Sequence, residues 1–146
     1  MGLKAKGPGL KRLARLIEQA PQMIRSEAAR GIQKGIEGLI KDEFRSKTDP
    51  YGAAWKPPKD GGKTMDRTGR LKRGFDVVAS PTGEGISIRV TNEQEYAHWL
   101  QDGTRRMEPR RMVPMGGSLP DKWDKVFAEA YKAAFLKWCS KLGLGN

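Results

Sequence analysis

The stretch FDVVASPTGEGISIRVT, residues 75–91, decides the fold class. Phe75 to Ala79 is an apolar run broken only by Asp76, and its β-branched and aromatic residues suit a strand. Ser80 to Gly85 brings together serine, proline, threonine and two glycines, the residues that turns demand. Beyond it Ile86, Ile88 and Val90 alternate with Ser87, Arg89 and Thr91, the period of a strand with one face buried. Two such runs around turn chemistry predict an antiparallel β-hairpin.

The segments outward from the hairpin read as helices. On its N-terminal side Ile24, Ala28, Ile32, Ile36, Leu39, Ile40 and Phe44 recur at three- and four-residue steps, predicting an amphipathic helix that ends near Arg45. A shorter stripe of Leu10, Leu13, Ala14, Ile17 and Ala20 precedes it, and Pro21 between them forces a kink or a fresh start. Gly31, Gly35 and Gly38 weaken the long helix but allow another backbone to approach closely, so they mark a tight packing face with another subunit as one candidate partner. On the C-terminal side Asn92 and Glu95 form a capping signal for a short helix. That helix carries Tyr96, Trp99 and Leu100 inward and stops at Gly103. Ser118 is the expected N-cap of a last helix, with Pro120 in its first turn. Trp123, Val126, Phe127, Ala130, Tyr131, Ala134, Phe135, Trp138 and Leu142 mark one stripe along that helix, and Gly143 ends it.

The expected architecture is therefore α+β. A small antiparallel sheet with a β-hairpin packs with long N-terminal and C-terminal amphipathic helices. Residues 1–9 combine glycine, proline and lysine and read as a flexible basic arm, and 10–146 read as a single domain, since 146 residues suit one core. Two irregular segments, 46–66 and 103–117, interrupt the pattern. Connections this long inside a compact domain are usually functional or disordered. The first invests Tyr51 and Trp55 among its prolines and glycines, either to pack the loop down or to meet a partner. We expect an interface role for both, because Pro57 and Pro58 stiffen the loop and lower the entropy cost of presenting it. The second crowds Arg105, Arg106, Arg110 and Arg111 against one opposing Glu108, and adds Met107, Met112 and Met115 as adaptable apolar contacts. Arg67, Arg70, Lys72 and Arg73 form another basic group.

Charge is the outlier of the composition. Lysine and arginine number 28 against 17 acidic residues, a net charge of +11, which favours acidic partners such as nucleic acid, an anionic membrane face or an acidic protein surface. No apolar run reaches a membrane span. No apolar segment follows the basic N-terminus as a signal peptide would require, and Lys6 stands where myristoylation wants serine or threonine.

Catalytic chemistry finds little support. Gly61-Gly62-Lys63-Thr64 resembles the end of a phosphate-binding loop, but Pro57 occupies the position of its first glycine and no strand precedes it. His98 is the only histidine and Cys139 the only cysteine, so neither a metal set nor a nucleophile-base arrangement is expected. No cofactor is expected either. Nothing in the spacing suggests base-specific reading of nucleic acid, so any such contact would be to phosphates and sensitive to salt.

Four segments in order carry a resemblance: Asp49-Pro50-Tyr51-Gly52-Ala53-Ala54-Trp55-Lys56-Pro57, Thr68-Gly69-Arg70-Leu71-Lys72-Arg73-Gly74-Phe75, Tyr96-Ala97-His98-Trp99-Leu100-Gln101-Asp102-Gly103-Thr104 and Met107-Glu108-Pro109-Arg110-Arg111-Met112. Together they resemble the tail-completion, or head–tail joining, proteins of tailed bacteriophages. The resemblance implies a structural virion protein and not an enzyme. It would be assembled in the host cytoplasm and carried in the neck or tail end. It would form a homo-oligomeric ring, of six- or twelve-fold symmetry, that completes the tail and joins it to the head. Its partners would be other neck, connector or tail-tube proteins, with non-specific DNA contact in the lumen and no membrane. Tyr51, Trp55, Arg70, Arg73, Arg105, Arg106, Met107, Arg110, Arg111 and Met112 are the expected interface residues. The alternative reading is a sequence-independent nucleic-acid-binding protein, favoured by the charge. A nucleotide-using enzyme built on Lys63 is a third.

Overall fold

A computed structural model describes residues 21–62, 65, 67–116 and 118–141. The expected basic arm, the helix at 10–20, Lys63, Thr64, Leu142 and Gly143 lie outside the described residues. Helix α1 spans Gln22–Ser46, starting directly after Pro21, whose carbonyl accepts from the amides of Ile24 and Arg25. It ends where Lys47 turns left-handed at φ 59°. Ile24, Ala28, Ile32, Ile36, Ile40 and Phe44 of the predicted stripe are buried along it.

One turn of helix, α2 (Arg70–Arg73), precedes the hairpin of β1 (Phe75–Pro81) and β2 (Ile86–Asn92). The strands are antiparallel, with Val77 opposite Val90 and Ala79 opposite Ile88. Their inner face lies on α1, with Val77 and Val90 buried. Two side chains of α1 lock the register. Gln33 Oε1 accepts from the Ala79 amide at 3.2 Å, and Arg25 donates to the carbonyls of Thr82 and Gly83 in the turn. A short helix, α3 (Ala97–Asp102), and a long one, α4 (Asp121–Lys141), complete the domain. The α+β architecture is as expected, with α1 the element that touches both α4 and the hairpin.

Helices α1 and α4 run antiparallel. Trp123 Nε1 donates to Glu43 Oε1 at 3.3 Å near one end, and Lys137 Nζ reaches Glu27 Oε2 at 3.2 Å near the other. Between them the glycine face meets α4 of the same chain. A Cβ on Gly35 would stand 2.3 Å from Val126 Cγ1, and one on Gly31 3.0 Å from Ala130 Cβ, while one on Gly38 would meet nothing. The tight face is thus an intramolecular crossing, which removes the reason to assign it to another subunit.

Glu43 sits at this junction with its carboxyl buried and, among the described residues, Oε2 without a hydrogen-bond partner. Burial pushes its pKa up to about 8, against the opposing pull of the Trp123 hydrogen bond.

Three local readings need correction. Asn92 does not cap α3. Its Oδ1 accepts from the Gln94 amide and its Nδ2 donates to the Leu71 carbonyl, so it closes a turn and ties that turn to α2. Tyr96 holds the position before α3 without a side-chain cap. The inward face of α3 is Ala97 and Gln101, with Leu100 half-buried, whereas Trp99 points out. Ser118 lies ahead of the first turn of α4, where the Pro120 carbonyl accepts from the amides of Trp123 and Asp124.

Candidate interaction surface

The four segments that carry the resemblance gather at one end of the domain. The first forms a knuckle after α1. Asp49 Oδ1 accepts from the amides of Tyr51 and Ala53, Gly52 turns at φ 93°, and Trp55 returns to donate its amide to the Lys47 carbonyl. The Trp55 ring meets Phe44 edge-on at 5.2 Å, and its Nε1 donates to the Arg111 carbonyl at 2.9 Å. Phe44 in turn meets Phe75 at 6.0 Å.

In the second segment Gly69 adopts φ 71°, the left-handed region, which starts α2 and buries Leu71. Gly74 closes that turn against Asn92, where a Cβ would stand 2.7 Å from Oδ1. In the third, Gly103 at φ 76° ends α3, and a Cβ there would strike Pro109 at 2.9 Å. The fourth is clamped to the third. Arg110 donates its amide to the Leu100 carbonyl, and the Gln101 side chain pairs with main chain on both sides. Its Nε2 donates to the Val113 carbonyl, and its Oε1 accepts from the amides of Met112 and Val113.

The expected interface residues divide. Trp55 is 6% exposed and Met112 is 2% exposed, so both belong to the core of this chain. Trp55 turns inward because Phe44 covers its ring and Arg111 supplies an acceptor for its N–H, which a buried indole needs. Met112 follows its own amide, fixed by Gln101. Tyr51 stays at the surface, but its hydroxyl donates toward the carbonyls of Met115 and Ser118 and pins the second loop to the first. Arg110 is half-buried, with Nε donating to the Lys56 carbonyl and Nη1 beside Met107 Sδ. Arg73 leans on the Thr68 carbonyl. Arg70, Arg105, Arg106 and Arg111 present exposed guanidinium groups, and none of them makes an ion pair among the described residues. Lys56 pairs with Glu108 at 2.8 Å, and Arg67 with Asp60.

An open cleft of about 480 Å³ runs along one side of α3, lined by Arg67, Arg70, Arg110 and Tyr96 over Leu71 and Leu100. Its polar lining consists mostly of donors, so it suits a carboxylate or phosphate group. On the other side of α3 a groove of about 370 Å³ is lined by Glu95, Asp102 and His98 with Phe75, Val113 and Met115. Sequence reasoning missed this division because it turned Trp99 inward. The signal available was Ala97 and Gln101, four apart, but a glutamine seldom marks a buried face.

Among the described residues no group of three histidine, cysteine or acidic side chains could hold a metal ion. No helix among them is long and apolar enough to cross a membrane. His98 is exposed, with its ring 5.0 Å from that of Trp99. No protein-family model, curated protein or solved structure matches the chain.

Proposed function

We propose that this chain is a structural virion protein of the neck or tail end of a tailed bacteriophage. In this reading it forms an oligomeric ring that completes the tail and joins it to the head. The observation that supports the reading is the convergence of the four resembling segments. Each has a local device that keeps its loop in shape: the Asp49 knuckle, the left-handed Gly69, the left-handed Gly103 and the Gln101 clamp. Loops built this firmly suit a surface that must match a neighbour repeatedly. Assembly in the host cytoplasm, and contact with other neck, connector or tail-tube proteins, follow from the same proposal.

The test is to examine purified protein by native mass spectrometry and electron microscopy, alone and mixed with tails lacking their terminating ring. Closed rings, free or seated on tail ends, are expected. A chain that forms none in either setting overturns the proposal.

The second reading, sequence-independent binding of nucleic acid, is favoured by Arg70, Arg105, Arg106 and Arg111, which are exposed and make no ion pair among the described residues. It predicts binding of random duplex that weakens steeply with salt, with a log–log slope of about −0.9 per phosphate neutralised.

A further inference from the structure

Helix α3 is a ridge between two walls of opposite charge. With 3.6 residues per turn, Trp99 stands about half a turn from the buried Ala97 and Gln101, at the crest of the ridge. It is 53% exposed, next to Tyr96 on one flank and His98 on the other. On the Tyr96 flank lies the cleft whose walls carry Arg67, Arg70 and Arg110. Asp60 pairs with Arg67 there, and among the described residues neither Arg70 nor Arg110 makes an ion pair. On the His98 flank lies the apolar groove rimmed by Glu95 and Asp102. Among the described residues none of Arg70, Glu95 and Asp102 makes an ion pair.

We propose that this ridge is a self-docking surface. The crest and acidic groove of one copy seat against the basic cleft of the next, and Trp99 is the anchor. Charge complementarity selects the occupant. A nucleic acid would be attracted by Arg70 and Arg110 and repelled by Glu95 and Asp102 a few residues away. A second copy of this chain presents the matching wall to each. The two walls are different surfaces of one molecule, so the contact is head-to-tail and propagates from copy to copy. Large aromatics and arginines at the centre of a contact dominate binding energy, and here Trp99 on the crest of α3 stands beside the cleft that carries Arg70 and Arg110. This deepens the proposed ring and rests on its self-association.

The test uses the full chain and four proteins: wild type, Trp99→Ala, Arg70→Glu, and Glu95→Lys/Asp102→Lys. Self-association is read by sedimentation equilibrium and by ring formation on tails, in whichever of the two the wild type assembles. Trp99→Ala is expected to weaken the contact at least ~30-fold, the effect of losing an anchor residue. Its thermal melt should match the wild type, which separates docking from folding. Arg70→Glu alone and Glu95→Lys/Asp102→Lys alone should each stay monomeric, because each sets like charges face to face. Mixing them should restore association, since the native acidic groove of one then meets the native cleft of the other. If the variants assemble as the wild type does, the ridge is not the contact and the ring stands without it. If the wild type assembles in neither setting, the ridge and the ring fall together. Duplex DNA binding lost on Arg70→Glu, with no self-association, would give this face to nucleic acid instead.

Discussion

Trp55 and Trp99 occupy regions whose local regularity and whose burial run in opposite directions. Trp55 belongs to an irregular stretch punctuated by Pro50, Pro57 and Pro58, yet it is 6% exposed. Trp99 belongs to a regular helix, yet it is 53% exposed. The difference lies in what each ring finds beneath it. A loop can bend until its indole reaches both an apolar partner and an acceptor, and Trp55 reaches Phe44 and the Arg111 carbonyl. A short helix can bury one side only, and in α3 that side is claimed by Gln101, whose amide fixes three main-chain groups at once. Regular structure is therefore no guide to burial here. The competition for hydrogen-bonding partners decides it.

The comparison breaks most easily at Trp55. Trp55→Ala should lower the stability of the isolated subunit by about 3–5 kcal/mol, the usual cost of removing a buried aromatic. Equilibrium denaturation measures it, and a loss under about 1 kcal/mol would place Trp55 outside the core. Gln101→Leu comes next. It keeps the volume but orphans the amides of Met112 and Val113 and the Val113 carbonyl, at about 1–3 kcal/mol for each group left buried and unpaired. Hydrogen exchange should show those two amides losing protection before the hairpin does.

Glu43, under Trp123, gives a dependence on pH. Its folded carboxyl keeps a proton that the unfolded chain releases near 4.5, so stability should fall as pH rises from there to about 8 and level off above. The slope contributed is at most about 1.4 kcal/mol per pH unit. Glu43→Gln should flatten this part of the profile. It should raise the melting temperature at pH 8 and leave it nearly unchanged at pH 4. A profile identical to wild type would show that Glu43 is ionised in the folded state. The smallest effect belongs to Trp99→Ala, whose melt should shift by no more than about 0.5 kcal/mol, as an exposed position allows.

Much of this was legible in the sequence. The aliphatic stripe of α1 is long enough to fix its own phase, and Ile24, Ala28, Ile32, Ile36, Ile40 and Phe44 are buried as the spacing predicts. The alternation of Ile86, Ile88 and Val90 fixed both the hairpin and the face it turns to α1. Helix α3 is under two turns long, so Tyr96, Trp99 and Leu100 fit an inward stripe as readily as Ala97 and Gln101 do, and periodicity could not choose. The glycines at 31 and 35 announced a close approach, but not that Ala130 and Val126, nearly a hundred residues later, make it. Trp55 depended on an acceptor 56 positions away, a separation that no local pattern encodes. Among the candidate site residues the exposed arginines were legible because charge stays at the surface. The acidic groove was not, since Phe75, Val113 and Met115, which line it with Glu95 and Asp102, come from other segments of the chain.

The side-chain amide of Gln101 offers Met112 and Val113 one acceptor and one donor, much as an adjoining peptide group would. In effect it is a strand one residue long, and it makes residues 103–111 an excursion pinned at both feet. Doubling the length of such a closed excursion costs only about 0.6 kcal/mol in chain entropy. The tip, with Arg105 and Arg106, can therefore exchange residues or lengthen while the clamp and everything beneath it stay as they are. The sequence of that tip is free to diverge at a pace that the core does not share.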